Sequence, residues 1–144
     1  MENKDSINLL RECSEGVKMG VSTIDEILPH VKSEKFKDVL FSSKTTHEKL
    51  YSEIIKMLNE NNVPRKEPSA MAKGMLWLKA NFSEMTNKSD KAIANLITDG
   101  CNTGIKSLTR YLNQYVNADD IIKNITQRLI NSEEKLVESI KDYL

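Results

Sequence analysis

The chain has 144 residues, a length typical of one domain, and its 21 Lys and Arg balance its 21 Asp and Glu. Because no basic excess is available to neutralise phosphates, we expect no nucleic-acid binding. No apolar run approaches the ~20 residues of a membrane helix, and the polar start of the chain lacks a signal peptide's apolar stretch. We therefore expect a cytoplasmic protein with no transmembrane segment. Only five Gly and three Pro, with 39% hydrophobic and 29% charged residues, favour an all-α fold.

The first half of the chain predicts a helical hairpin. Apolar residues recur at alternating steps of three and four from residue 7 onward, which predicts a helix over about 6–30. Pro29 should end or bend this helix, because proline disfavours helix at the residue before it. A second helix is predicted over about 34–62, with Ser33 as its N-cap.

The segment after the hairpin predicts a linker and a short amphipathic helix over about 69–82. Apolar residues fall on one face of this helix at steps of four, three and four. The helix either packs across the bundle or binds a protein partner or a second copy of the chain. The candidate interaction residues are Met71, Met75, Trp77 and Phe82.

The second half of the chain predicts another hairpin, with helices over about 89–116 and 118–143. Two hairpins joined by the long connection 63–87 predict one four-helix bundle that occupies residues 1–144. The connection is long enough to run the length of the bundle, so helices two and three could be parallel.

Small or polar residues interrupt the apolar stripe of each long helix near its middle. If the helices are in register, these residues form one central layer, which is where helical bundles hold cofactors. Gly100 and Gly104 lower helix propensity and therefore predict either the close approach of a neighbouring helix or a small pocket. The candidate pocket residues are His47, Ser14, Cys13, Ser43, Gly100, Cys101, Gly104 and Ser132.

Residues 69–82 (SAMAKGMLWLKANF), residues 90–112 (DKAIANLITDGCNTGIKSLTRYL) and the start of the fourth helix resemble a small bacterial ferritin-like domain family of unknown function. The resemblance covers about residues 6–142. It implies the ferritin-like superfamily and a crossover four-helix bundle.

The resemblance does not carry over a di-iron site. Such sites need a Glu from each of two helices and a Glu-x-x-His motif from each of the other two. The only histidines are His30 and His47, and the residues three positions earlier are Ile27 and Lys44. We therefore expect no di-metal centre, no cofactor and no catalytic residue.

His47 allows two interpretations. It is either a core histidine hydrogen-bonded to Ser14, Ser132 or water, or a ligand or proton carrier that acts with Glu48 or Cys13. The cysteines are expected as buried, reduced thiols. Most acidic residues beside the stripes, Glu133 among them, are expected on solvated faces.

These expectations favour a structural or interaction module over an enzyme. The alternative is a metal-binding or small-molecule-binding protein, with a redox or storage role, that uses the central layer around His47. Metal analysis of the purified protein would separate the two.

Overall fold

A computed structural model describes residues 3–63 and 70–144, and within the second range it describes side chains from Gly74 onward. The described residues form helices and connecting turns without a strand, which confirms the all-α fold. The helices are α1 (Lys4–Ile27), α2 (Glu34–Glu60), α3 (Ala70–Glu84), α4 (Asp90–Gln114) and α5 (Asp120–Ser139), with short 3-10 turns at Leu28–His30 and Lys141–Tyr143.

Local sequence explains where the helices begin and end. The side chains of Asn3, Ser33 and Ser89 accept hydrogen bonds from the first-turn backbone N–H groups of α1, α2 and α4. Helix α1 ends at Ile27 rather than at residue 30, because Pro29 diverts the chain into a 3-10 turn. Helix α5 is shorter than the predicted 118–143, since it runs from Asp120 to Ser139.

Hydrogen bonds at the two ends of the bundle set the direction of each helix. The Asp90 carboxylate, at the start of α4, accepts from the backbone N–H groups of Lys32 and Ser33 at 2.8 and 2.9 Å. At the other end, the backbone N–H of Asp119 donates to Ser6 Oγ at 2.7 Å. Helices α2 and α4 therefore run in one direction, and α1 and α5 run in the other.

Helix α3 belongs to the crossover between α2 and α4, and it packs between α1 and α4. Lys79 Nζ donates to Ser22 Oγ on α1 at 2.9 Å. On the other side, the Leu78 side chain fills the space that a Cβ at Gly100 would enter, since that Cβ would lie 2.9 Å from Leu78 Cδ1. The predicted connecting helix is thus a fifth helix of the bundle, buried through Leu78 and Phe82.

The apolar core consists of two clusters. The first cluster lies near the start of α1 and includes Leu9, Leu10, Leu50, Ile54, Leu108, Ile122 and Leu129. The second cluster lies at the opposite end and includes Ile27, Phe36, Leu40, Leu78, Phe82, Ile93 and Ile140. Neither cluster contains a buried residue from 18–23, 41–49, 102–107 or 131–135. These four ranges form the central layer of the structure, which includes the predicted Ser43, His47, Gly104 and Ser132 but not the predicted Ser14 or Gly100.

Candidate functional site

A hydrogen-bonded pair joins α2 to α5 in the central layer. His47 Nε2 lies 2.6 Å from Glu133 Oε1, and His47 Nδ1 lies 2.7 Å from the carbonyl oxygen of Ser43. The His47 side chain is 3% exposed and the Glu133 side chain is 12% exposed. The pair is therefore a largely desolvated contact, in which charge-assisted hydrogen bonds are strong.

The partners of His47 indicate its protonation state. A backbone carbonyl can only accept a hydrogen bond, so Nδ1 must carry a proton. At Nε2 an ionised carboxylate likewise accepts, so these two partners favour the doubly protonated, positively charged imidazole. Burial alone would lower the pKa of His47, but the hydrogen bond and charge of Glu133 together with the Ser43 carbonyl outweigh burial and raise it.

Cys101 on α4 is the third polar side chain at this site. Its side chain lines the same small cavity as Glu133, and its pKa is raised well above the ordinary value by burial and by the nearby Glu133 carboxylate. The thiol therefore stays protonated at neutral pH, which makes it a poor nucleophile. Glu133 thus contacts His47 of α2 directly and lies beside Cys101 of α4.

A small inner cavity lies against the pair. Its volume is about 30 Å³, enough for one water-sized species but not for an organic ligand. Gly20 on α1 packs beside the imidazole, since a Cβ there would lie 3.4 Å from His47 Cδ2, in van der Waals contact. The cavity is also lined by Thr23, Ile24, Ile27, Met75, Leu78, Ile97, Gly100, Cys101, Glu133 and Leu136.

The structure brings only some of the predicted pocket residues together. His47, Gly100 and Cys101 line the inner cavity. Ser43 and Ser132 line a separate surface groove between α2 and α5. The remaining candidates, Ser14, Cys13 and Gly104, are buried but line neither cavity.

Cys13 belongs to the first core cluster and not to the site around His47. Its sulfur lies 3.3 Å from Thr126 Oγ1 on α5, and burial raises its pKa to about 12. Cys101 belongs to the second cluster, and both thiols are free. The prediction that both cysteines are buried is confirmed. Cys13, however, lies too close to the start of α1 to reach the central layer.

The partner of His47 was predicted incorrectly. The expected partners were Ser14, Ser132 or water, and Glu133 was expected on a solvated face. Glu133 lies four residues after Leu129 and three before Leu136, both of them buried, so helical spacing places it on the inward face. That spacing was the signal available in the sequence, but a charged residue is usually solvated at such a position.

The interaction candidates on α3 separate into two faces. Phe82 is buried, and Met75 packs against the second cluster and lines the inner cavity. Trp77 is 52% exposed and its neighbour Leu76 is 46% exposed. The side chain of Met71 lies outside the described residues.

Among the described residues, no three His, Cys, Asp or Glu side chains are grouped closely enough to hold a metal ion. No described helix combines the length and apolar character needed to cross a bilayer. Comparisons with protein-family models, with curated proteins and with solved structures find no match for this chain.

Proposed function

We propose that this protein is an interaction module with a ferritin-like bundle and no di-metal centre, and that it associates with a second copy of itself through the outer face of α3. We define this face by Leu76, Trp77 and Ala80. The crossover between α2 and α4 supports the ferritin-like assignment, because ferritin-like bundles have one long crossover connection. The sequence supports the lack of a di-metal centre, because it contains no Glu-x-x-His motif.

The exposure of Trp77 is the observation that carries the proposal. Tryptophan is among the residues that contribute most to protein interfaces, and here half of its side chain faces solvent beside an exposed leucine. The same helix is held in place by the buried side chains of Leu78 and Phe82. The outer face of α3 is thus presented on a fixed helix, which lowers the entropy lost on binding.

The charge of α3 favours a second copy as the partner. Between residues 74 and 83 the only charged residue is Lys79, and its ammonium is turned toward Ser22 and Glu26 of α1. A two-fold interface brings a surface against itself, so a charged face would repel its own copy. Leu76, Trp77 and Ala80 carry no charge themselves, and the charged residues near the two ends of α3, Lys73 and Glu84, have opposite signs.

Sedimentation equilibrium of the wild-type chain and of Trp77→Ser, from about 1 μM to about 1 mM, tests this proposal. We expect the wild type to form dimers and Trp77→Ser to remain monomeric with an unchanged circular dichroism spectrum. Phe41→Ser is the matched control, because Phe41 is 61% exposed on α2 and its loss should leave the dimer intact. A wild-type chain that is monomeric throughout, or a Trp77→Ser chain that still dimerises, contradicts the proposal.

The alternative function is metal or small-molecule binding at the central layer, and the size of the inner cavity restricts it to a metal ion or a water-sized ligand. The observation that favours it is the inner cavity beside His47, Glu133 and Cys101. Metal analysis after aerobic purification tests this candidate. Stoichiometric metal that is lost in His47→Ala would support it, and metal-free protein would contradict metal binding there.

A further inference from the structure

A groove on the surface of the bundle lies between the first half of α2 and the second half of α5. Its volume is about 570 Å³, within the range of small-molecule sites. At the same end of the bundle, α3 occupies the space between α1 and α4. No described element fills the groove between α2 and α5.

The groove has an apolar surface beside small polar side chains. Val39 and Leu136 supply the apolar part, and Ser43, Thr46 and Ser132 are among the small residues that leave the groove open. Leu136 also lines the inner cavity, and the Ser43 carbonyl accepts from His47. The groove therefore lies directly outside the His47–Glu133 pair.

The charges that line the groove are mostly positive, although the chain as a whole is neutral. Arg128 already donates two hydrogen bonds to the Glu53 carboxylate, at 3.0 and 2.7 Å. Lys35 and Lys135 are exposed and form no ion pair with a described residue, and Asp38 is the one carboxylate in the lining. A negatively charged group is the complement of this lining.

We infer that the groove between α2 and α5 binds a small amphipathic anion, whose apolar body lies on Val39 and Leu136 and whose carboxylate or sulfonate is held by Lys35 and Lys135. Burial of the apolar body supplies affinity, and the two ammonium groups supply selectivity for negative charge. This inference does not depend on self-association through α3.

Two fluorescent probes with the same aromatic skeleton test the inference. 1-Anilinonaphthalene-8-sulfonate is anionic, and N-phenyl-1-naphthylamine lacks the sulfonate. We expect the anionic probe to bind with one site per chain, and the double variant Lys35→Glu/Lys135→Glu to bind it about tenfold more weakly. The affinity of the uncharged probe should be the same in the wild type and in this variant.

Three further variants locate the site. Lys91→Glu makes the same kind of charge reversal at an exposed position of α4 and should leave the affinity within about twofold. Ser132→Leu should block the groove and weaken both probes, with circular dichroism as the check on folding. Trp77→Ser should leave both titrations unchanged, which separates the groove from the outer face of α3.

Several results would overturn the inference. Equal binding of the anionic probe to the wild type and the double variant would remove the role of the lysines. Equal weakening of both probes in that variant would show a general disturbance of the fold. Loss of binding in Trp77→Ser, or unchanged binding of both probes in Ser132→Leu, would place the probe elsewhere.

Discussion

The imidazole of His47 and the carboxylate of Glu133 are 86 residues apart in sequence and meet at 2.6 Å in the middle of the bundle, where they connect α2 to α5. Each group would be costly to bury alone, so each depends on the other. The pair makes the interior sensitive to pH and to any change that removes one partner.

The pair should make stability depend on pH. The pKa of His47 is raised in the folded chain, so the folded state holds this proton more tightly than the unfolded state does. The contribution of the charged imidazole is complete below the ordinary histidine pKa of about 6.5, and it is lost as the pH rises through the raised folded-state pKa. Urea unfolding of the wild type from pH 5 upward, at about half-unit steps, measures this loss.

Glu133→Gln serves as the comparison for the pH experiment. This variant keeps the shape of the side chain but removes the negative charge that favours the protonated imidazole. We expect its free energy of unfolding to lose most of the dependence on pH near neutrality. An identical pH profile in the wild type and in Glu133→Gln would show that His47 is neutral in the folded chain.

Removing one member of the pair should cost more than removing both. Glu133→Ala leaves the imidazole without its acceptor and should lower the free energy of unfolding by about 3 kcal/mol or more. The double variant His47→Leu/Glu133→Met replaces the pair by apolar side chains of similar size and should be closer to the wild type. Thermal or urea unfolding of His47→Leu, of Glu133→Met and of the double variant gives the coupling energy.

An exposed neighbour provides the control for that cycle. Glu134 is exposed on the same helix, so Glu134→Ala should change stability by no more than about 0.5 kcal/mol. A similarly small effect of Glu133→Ala would show that the pair contributes nothing to folding.

Both thiols should resist modification in the folded chain. Burial raises the pKa of Cys13 to about 12 and that of Cys101 well above its ordinary value, so neither supplies thiolate at pH 8. We expect iodoacetamide to label neither residue in the native protein and both in urea. In Ser42→Cys, where the new thiol is exposed, labelling should be fast, and equally fast labelling of Cys101 in the wild type would contradict its burial.

The long helices could be predicted from sequence because each carries a continuous apolar stripe and a recognisable end signal. Ser33 caps α2 as predicted, and Pro29 ends α1 slightly earlier than predicted. The interruption of the stripes indicated a central layer, and His47 lies in it. Helical periodicity identifies the face of each helix, which is sufficient for these features.

The partners across the bundle could not be predicted in the same way. Periodicity places Glu133 and Ser132 on adjacent positions of one face, but only the rotation of α5 decides which of them meets His47. The packing position of α3 could not be predicted either, since an amphipathic helix can cover any apolar groove. Gly100 did indicate the close approach of a neighbouring helix, because its lack of a side chain leaves the space that Leu78 of α3 occupies.

The place of α1 at the centre of the bundle affects how this protein is made. Helix α1 touches α2, α3, α4 and α5, and its start is hydrogen-bonded to the turn that precedes α5. It is also the first of the described helices to be synthesised. Helix α2 follows it directly, but α5 begins more than 100 residues after the start of α1, so during translation the part of α1 that packs on α5 stays uncovered and exposes apolar surface that favours aggregation.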